Sequence, residues 1–268
     1  NVVNGEVAIA NNGKCSLMEA IWNARSTNAG NMKADCRAGN TGGSDTVVLP
    51  LGGEFVLTDI HNSQYGDTGL PVITSAVIIE GNGSTIRRSA VSGTPGFRIL
   101  AVDENGSLTL RHTVIQNGQA YQYDNGGGIY SRGDLVIENS TLADNYAYVG
   151  GGIRATTATI TGSMIINNQA GGPYAGTGGG ISANNLTLVD STVAGNSAWG
   201  GEDYGGQGGG ISVQNGTITG STISGNQATD GFDSYNYSQP EPGFGGAIDV
   251  WGTVTITNST LSNNEANF

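Results

Sequence analysis

Tyr130, Arg132, Arg154 and Asp249 are the residues whose types and spacing best suit acid–base chemistry in this chain. Each stands one or three residues after an isoleucine (Ile129, Ile153 or Ile248) that begins an alternating stretch. If the isoleucine points inward, alternation turns these side chains outward. Arg132 and Arg154 beside Tyr130 would suit a polysaccharide lyase, which needs a base near the sugar C5 and a cation to neutralise the uronate. A glycoside hydrolase needs paired carboxylates, and this strand offers Asp249 alone. An ordinary mixed surface is the competing reading. The only lysines are Lys14 and Lys33, so the rest of the chain has no lysine base. His112, next to Arg111, falls on a different strand and is assigned no role.

A second set of residues suits binding. Tyr148, Tyr174, Trp199, Tyr204, Tyr235 and Tyr237 lie in irregular segments, and Trp251 faces outward on the strand that carries Asp249. Aromatic faces beside carboxylates and amides suit sugar rings. Packing of the aromatics on one another is the competing reading. The acids Asp203, Asp230, Asp233 and Glu241 are candidate Ca²⁺ ligands. They form no Asp-x-Asp-x-Asp loop, and solvated loop acids are the alternative.

A repeat must position these residues. Gly-Gly-Gly-Ile occurs at 126–129, 150–153, 178–181 and 208–211, and Gly-Gly-Ala-Ile at 245–248. The isoleucines are 24, 28, 30 and 37 residues apart. Behind each follow an apolar residue (Ile137, Ile160, Leu188, Ile218, Ile256), a second (Leu142, Ile165, Val193, Ile223, Leu261) and an Asn (Asn145, Asn168, Asn196, Asn226, Asn264). Three short strands joined by tight turns in such a unit predict one coil of a parallel β-helix. Like residues would stack on like, and aligned Asn would bond along the axis. The glycines suit positive φ or close backbones. The length differences fall between the Asn and the next glycines, in the inserts 146–149, 169–177, 197–207 and 227–244, which read as a wall beside the outward strand. Insertions at one position map to one side, often the binding side.

Residues 1–45 differ and read as an N-terminal cap; 46–268 read as the β-helix. Leu17, Ala20, Ile21 and Ala24 have helical spacing, and Ser16 with Glu19 forms a capping box. Cys15 and Cys36 are read as a disulfide, with two free thiols the alternative; a bridge implies an oxidising compartment. The net charge of −12 argues against a nucleic-acid partner. No run approaches the ~18 apolar residues of a membrane helix. No signal peptide is read in this sequence, so a secreted form is expected to be a mature one. It stops shortly after Asn264 with no visible cap, which leads us to expect further coils or self-association.

The order Cys15-Ser-Leu-Met-Glu-Ala-Ile21, a second Cys, Asp45-Thr-Val-Val-Leu-Pro50, Gly69-Leu-Pro-Val-Ile-Thr74 and then Gly-Gly-Gly-Ile and Ser-Thr-Ile-x-x-Asn units resembles a known family. It is similar to secreted bacterial right-handed parallel β-helix proteins with an N-terminal Cys-Ser-Leu-Arg-Glu-Ala-Ile motif. The repeats also resemble those of polymorphic outer-membrane proteins. Met18 stands where the first family usually has Arg, and the Phe of the outer-membrane signature is absent. The resemblance implies an all-β right-handed parallel β-helix with a short N-terminal capping helix, secreted or on a bacterial cell surface.

The expected function is adhesin-like binding of a polysaccharide, cell-surface glycan or other surface. A uronate lyase, and behind it a glycoside hydrolase, is the alternative for the same groove. Thr-x-Thr pairs at Thr159/Thr161, Thr217/Thr219 and Thr255/Thr257 raise ice binding as a minor alternative, interrupted by Val189 and Glu138.

Overall fold

The computed structural model describes all residues except 26–31, 41, 122, 203, 233–239 and 268. The chain winds into a right-handed parallel β-helix. Each repeat supplies one coil of three strands. The long face is built from Ile129–Glu138, Ile153–Thr161, Ile181–Val189, Ile211–Thr219 and Ile248–Thr257. The second face carries three-residue strands such as Met164–Ile166, and the third carries two-residue strands such as Gln169–Ala170. Neighbouring coils pair in parallel and in register, so Ile153, Ile181, Ile211 and Ile248 stand side by side.

The third face corrects the sequence reading of the inserts. Their first two residues are strand, and the irregular loop starts only afterwards. The signal was an Asn-x-Ala motif: Ala147, Ala170, Ala198 and Ala228 point inward and are fully buried. An earlier strand passes through Gly81-Asn82-Gly83. Ala76–Arg88 is one strand that turns a corner there, with Asn82 at φ 50°.

The coils turn at three kinds of sharp corner, each marked by a column of residues in the left-handed region. The first column is Asn82, His112, Asn139, Gly162, Asp190, Gly220 and Asn258. The second is Asn117, Asp144, Asn167, Gly195, Gly225 and Asn263. Gly126, Gly150, Gly178, Gly208 and Gly245 form the third. Gly, Asn and Asp dominate because they tolerate this conformation. The second glycine of each repeat answers a different need. A Cβ on Gly151 would lie 2.3 Å from the Gln169 carbonyl oxygen, so backbones pass too close for a side chain.

Inside the coil, two polar ladders accompany the apolar columns. The Asn168 backbone N–H and Nδ2 both donate to Asn196 Oδ1, at 2.8 and 3.0 Å. The Asn168 amide also donates to the Leu142 carbonyl. Asn145, Asn196 and Asn226 repeat this arrangement. At the first corner, the Ser140, Ser163, Ser191 and Ser221 N–H groups each donate to the next serine hydroxyl at 3.1 Å. The repeated Ser before each Thr or Met is therefore a second ladder.

The helix Leu17–Ala24 has both halves of the Ser16–Glu19 capping box. Leu17 and Ile21 are fully buried in the same apolar cluster as the first strands, Phe55 and Ile79 included. Cys15 and Cys36 form a disulfide, Cα–Cα 4.6 Å. Among the described residues, no helix is long and apolar enough to cross a membrane.

Removing an interior rung leaves a buried N–H without an acceptor, which costs about 1–3 kcal/mol, and also loses the amide's own bonds. Asn196→Ala is expected to destabilise by about 3 kcal/mol, and Asn264→Ala, on the half-buried last coil, by about 1 kcal/mol. Chemical denaturation of the two variants checks this ranking.

Candidate functional site

A cavity of about 550 Å³ runs along the outer side of the long face. The first half of that face is its floor: Arg154, Ser182, Asn184, Ser212, Gln214 and Trp251 all line it. Its wall is the column just before the third corner, where Asn125, Val149, Thr177 and Gln207 also line the cavity. That column is held by bridges Asn125–Val149, Val149–Thr177 and Thr177–Gln207. The wall is therefore paired backbone rather than loose loop. Ser182 and Ser212 face outward yet are buried, so the groove is narrow at its floor.

Arg154 reaches across to the next coil. Its Nη1 donates to the Ala155 and Ser182 carbonyls, and Nη2 donates to Asn184 Oδ1 at 3.0 Å. Burial pulls its guanidinium below the ordinary arginine value, with neighbouring Tyr130 opposing. Tyr130 is paired with Arg154 across the strand. The Arg98 guanidinium also lies 5.3 Å from the Tyr130 ring centre. Arg98 is almost fully buried and is held by the carbonyls of Tyr65 and Asn125 and by Asp124 at 3.4 Å. Burial lowers its pKa, and Asp124 works against that shift.

Arg132 does not join Arg154. It is exposed, pairs with Glu104 at 2.8 Å and lies over the Tyr65 ring. The extra residue in Ser131–Asp134 shifts the register there. Tyr65 donates from its hydroxyl to Asp103 Oδ2 at 2.5 Å. That bond raises the Tyr65 pKa and lowers that of Asp103. At the other end, the Trp251 Nε1–H donates to Asp249 Oδ2 at 2.6 Å. The indole is 68% exposed, so its ring remains open to a ligand while its polar edge is already satisfied.

The loop aromatics stand apart from this lining. Tyr123 contacts Tyr148 edge-on at 5.6 Å and stacks on Tyr174 at 6.2 Å. Tyr121 packs against Tyr146. Trp199 and Tyr204 are exposed on the later loops. Of the aromatic candidates, Trp251 lines the groove, while Tyr148 and Tyr174 join a cluster of their own. Tyr235 and Tyr237 lie outside the described residues, as do Asp203 and Asp233. Asp230 is exposed, and Glu241 pairs with Gly231 in a two-strand ribbon. Among the described residues, no three His, Cys, Asp or Glu side chains gather into a metal-binding group. On the second half of the long face, Thr159, Thr187, Thr217 and Thr255 stand in one register column.

Sequence reasoning found Arg154 and Trp251 from alternation. It missed Asn125, Thr177 and Gln207 as individual residues, although each immediately precedes a glycine triplet. It also missed Arg98 and Tyr65, which come from segments outside the repeat. No family model, curated protein or solved structure matches the chain. The class of protein that fold and groove define is a right-handed parallel β-helix with a polar lateral groove.

Since the Tyr65 hydroxyl depresses the folded-state pKa of Asp103, their bond stabilises the protein above the ordinary Asp range. That contribution is lost as pH falls through the depressed value. Tyr65→Phe is expected to return the Asp103 titration toward the ordinary Asp value, as read by carboxyl NMR.

Proposed function

We propose that this β-helix is an extracellular glycan-binding protein whose ligand lies along the long-face groove. The observation that carries the reading is the chemistry of the lining. It offers the amides of Asn125, Asn184, Gln207 and Gln214, the hydroxyls of Thr177, Ser182 and Ser212, one guanidinium and one open indole. Amides and hydroxyls match sugar hydroxyls, and an indole face matches the C–H face of a pyranose ring. An adhesin-like role extends this reading from isolated chains to glycan-coated surfaces. The disulfide is compatible with an oxidising compartment. The resemblance to secreted β-helix proteins supports the same location.

Binding to a glycan array is the direct measurement. Trp251→Ala is expected to weaken the best ligand about tenfold, and Trp199→Ala to change it less than about twofold. An array with no bound glycan, or a Trp251→Ala protein that binds like wild type, would overturn the reading.

One observation favours a second reading as a uronate lyase. Tyr130, a side chain that could serve as a base, is paired across the strand with Arg154, a cation that could meet a uronate carboxylate, and has Arg98 beside its ring. Such an enzyme would release unsaturated products absorbing in the near ultraviolet from a uronate polymer. Tyr130→Phe would then lose at least about a hundredfold in rate; no absorbance change with uronate polymers removes this reading.

A further inference from the structure

Charge is distributed unevenly along the groove. The chain has a formal net charge of −12. Yet among the described residues that line the cavity, the one ionisable side chain is a cation, Arg154. Arg87, Arg98, Arg111 and Arg132 are each paired with a carboxylate. Arg154 makes three hydrogen bonds, all to neutral acceptors: two carbonyls and the Asn184 amide oxygen. A guanidinium has five N–H donors, so these bonds leave capacity for another acceptor. They also hold the group still, removing much of the entropy cost of engaging a ligand.

A partly buried cation with no carboxylate partner among the described residues has lost hydration that three neutral hydrogen bonds restore only in part. An anionic ligand restores it through charge-assisted bonds, and a planar carboxylate matches the guanidinium fork best. Direction is also built in. Tyr130, Arg154, Ser182, Ser212 and Asp249 stand side by side on successive strands. Arg154 and Asp249 are three strand spacings apart, about 14 Å. A carboxylate is drawn to the first end and repelled from the second.

We propose that the groove binds an acidic polysaccharide, with a uronate carboxylate against Arg154 and a neutral stretch of the chain running toward Trp251. The proposal rests on the glycan-binding reading above and names its ligand class. Neither catalysis nor a metal is needed for it.

The test compares hyaluronan, unsulfated chondroitin and gellan, whose uronates are separated by neutral sugars, with their carboxyl-reduced forms, alongside a panel of naturally neutral glycans. Binding to the full chain is measured by calorimetry. At least one acidic polymer is expected to bind, with its reduced form about tenfold or more weaker. Arg154→Gln should lose that preference, and Arg154→Lys should keep part of it. Circular dichroism establishes that the variants are folded; if Arg154→Gln is not, the wild-type comparison of acidic and reduced polymers decides. Equal binding of the two forms, binding to neutral glycans only, or an Arg154→Gln protein that keeps the preference would overturn the acidic ligand and leave glycan binding standing. No binding to any glycan would overturn both.

Discussion

The buried asparagine amide is the interaction on which the rest of the structure depends. A coil that turns three times leaves backbone N–H and C=O groups facing its interior at the corners. Water cannot reach them, and each would be costly if unpaired. Asn145, Asn168, Asn196 and Asn226 satisfy them by one device: the side-chain oxygen accepts from the coil before, and the nitrogen donates to a carbonyl and to the coil after. The device works only when the same residue recurs at the same corner. That forces the coils into register, and register aligns everything outside. The groove inherits its order from the amides behind it.

The serine ladder has the same logic at the first corner, with less reach. A hydroxyl accepts from the neighbouring coil and donates to a carbonyl two residues back in its own chain. The polar interior is thus fully paired; among the described residues, no buried side-chain nitrogen or oxygen lacks a partner. Between the ladders, the columns of Ile, Leu, Val and Ala supply the apolar burial that makes the coil stable in water.

Much of this was legible in the sequence, because repetition shows which positions are equivalent. The coil, the Asn ladder, the inward isoleucines and the outward Arg154 and Trp251 all follow from alignment and alternation. The capping box was legible as local chemistry. What escaped reading depends on contacts between unlike segments. Arg98 belongs to no repeat, yet it fastens Tyr65, Asp124 and Asn125 at the mouth of the groove. The aromatic residues drew attention by composition, but Tyr123, Tyr148 and Tyr174 contact one another rather than the groove. The plainer Thr177 and Gln207 form the wall. The two-residue third strand was too short to register as alternation and needed its alanine column to be noticed.

The in-register stacking has a further consequence for how such a groove can change. Positions along it are spaced by whole coils, each about 4.8 Å. Duplicating or deleting one repeat in the gene would lengthen or shorten the groove by one such step while preserving every rung. Groove length is therefore adjustable only in discrete increments, whereas loop length, free of the ladders, can vary by single residues. The four inserts between the repeats follow that rule, differing in length by uneven amounts around an otherwise constant coil.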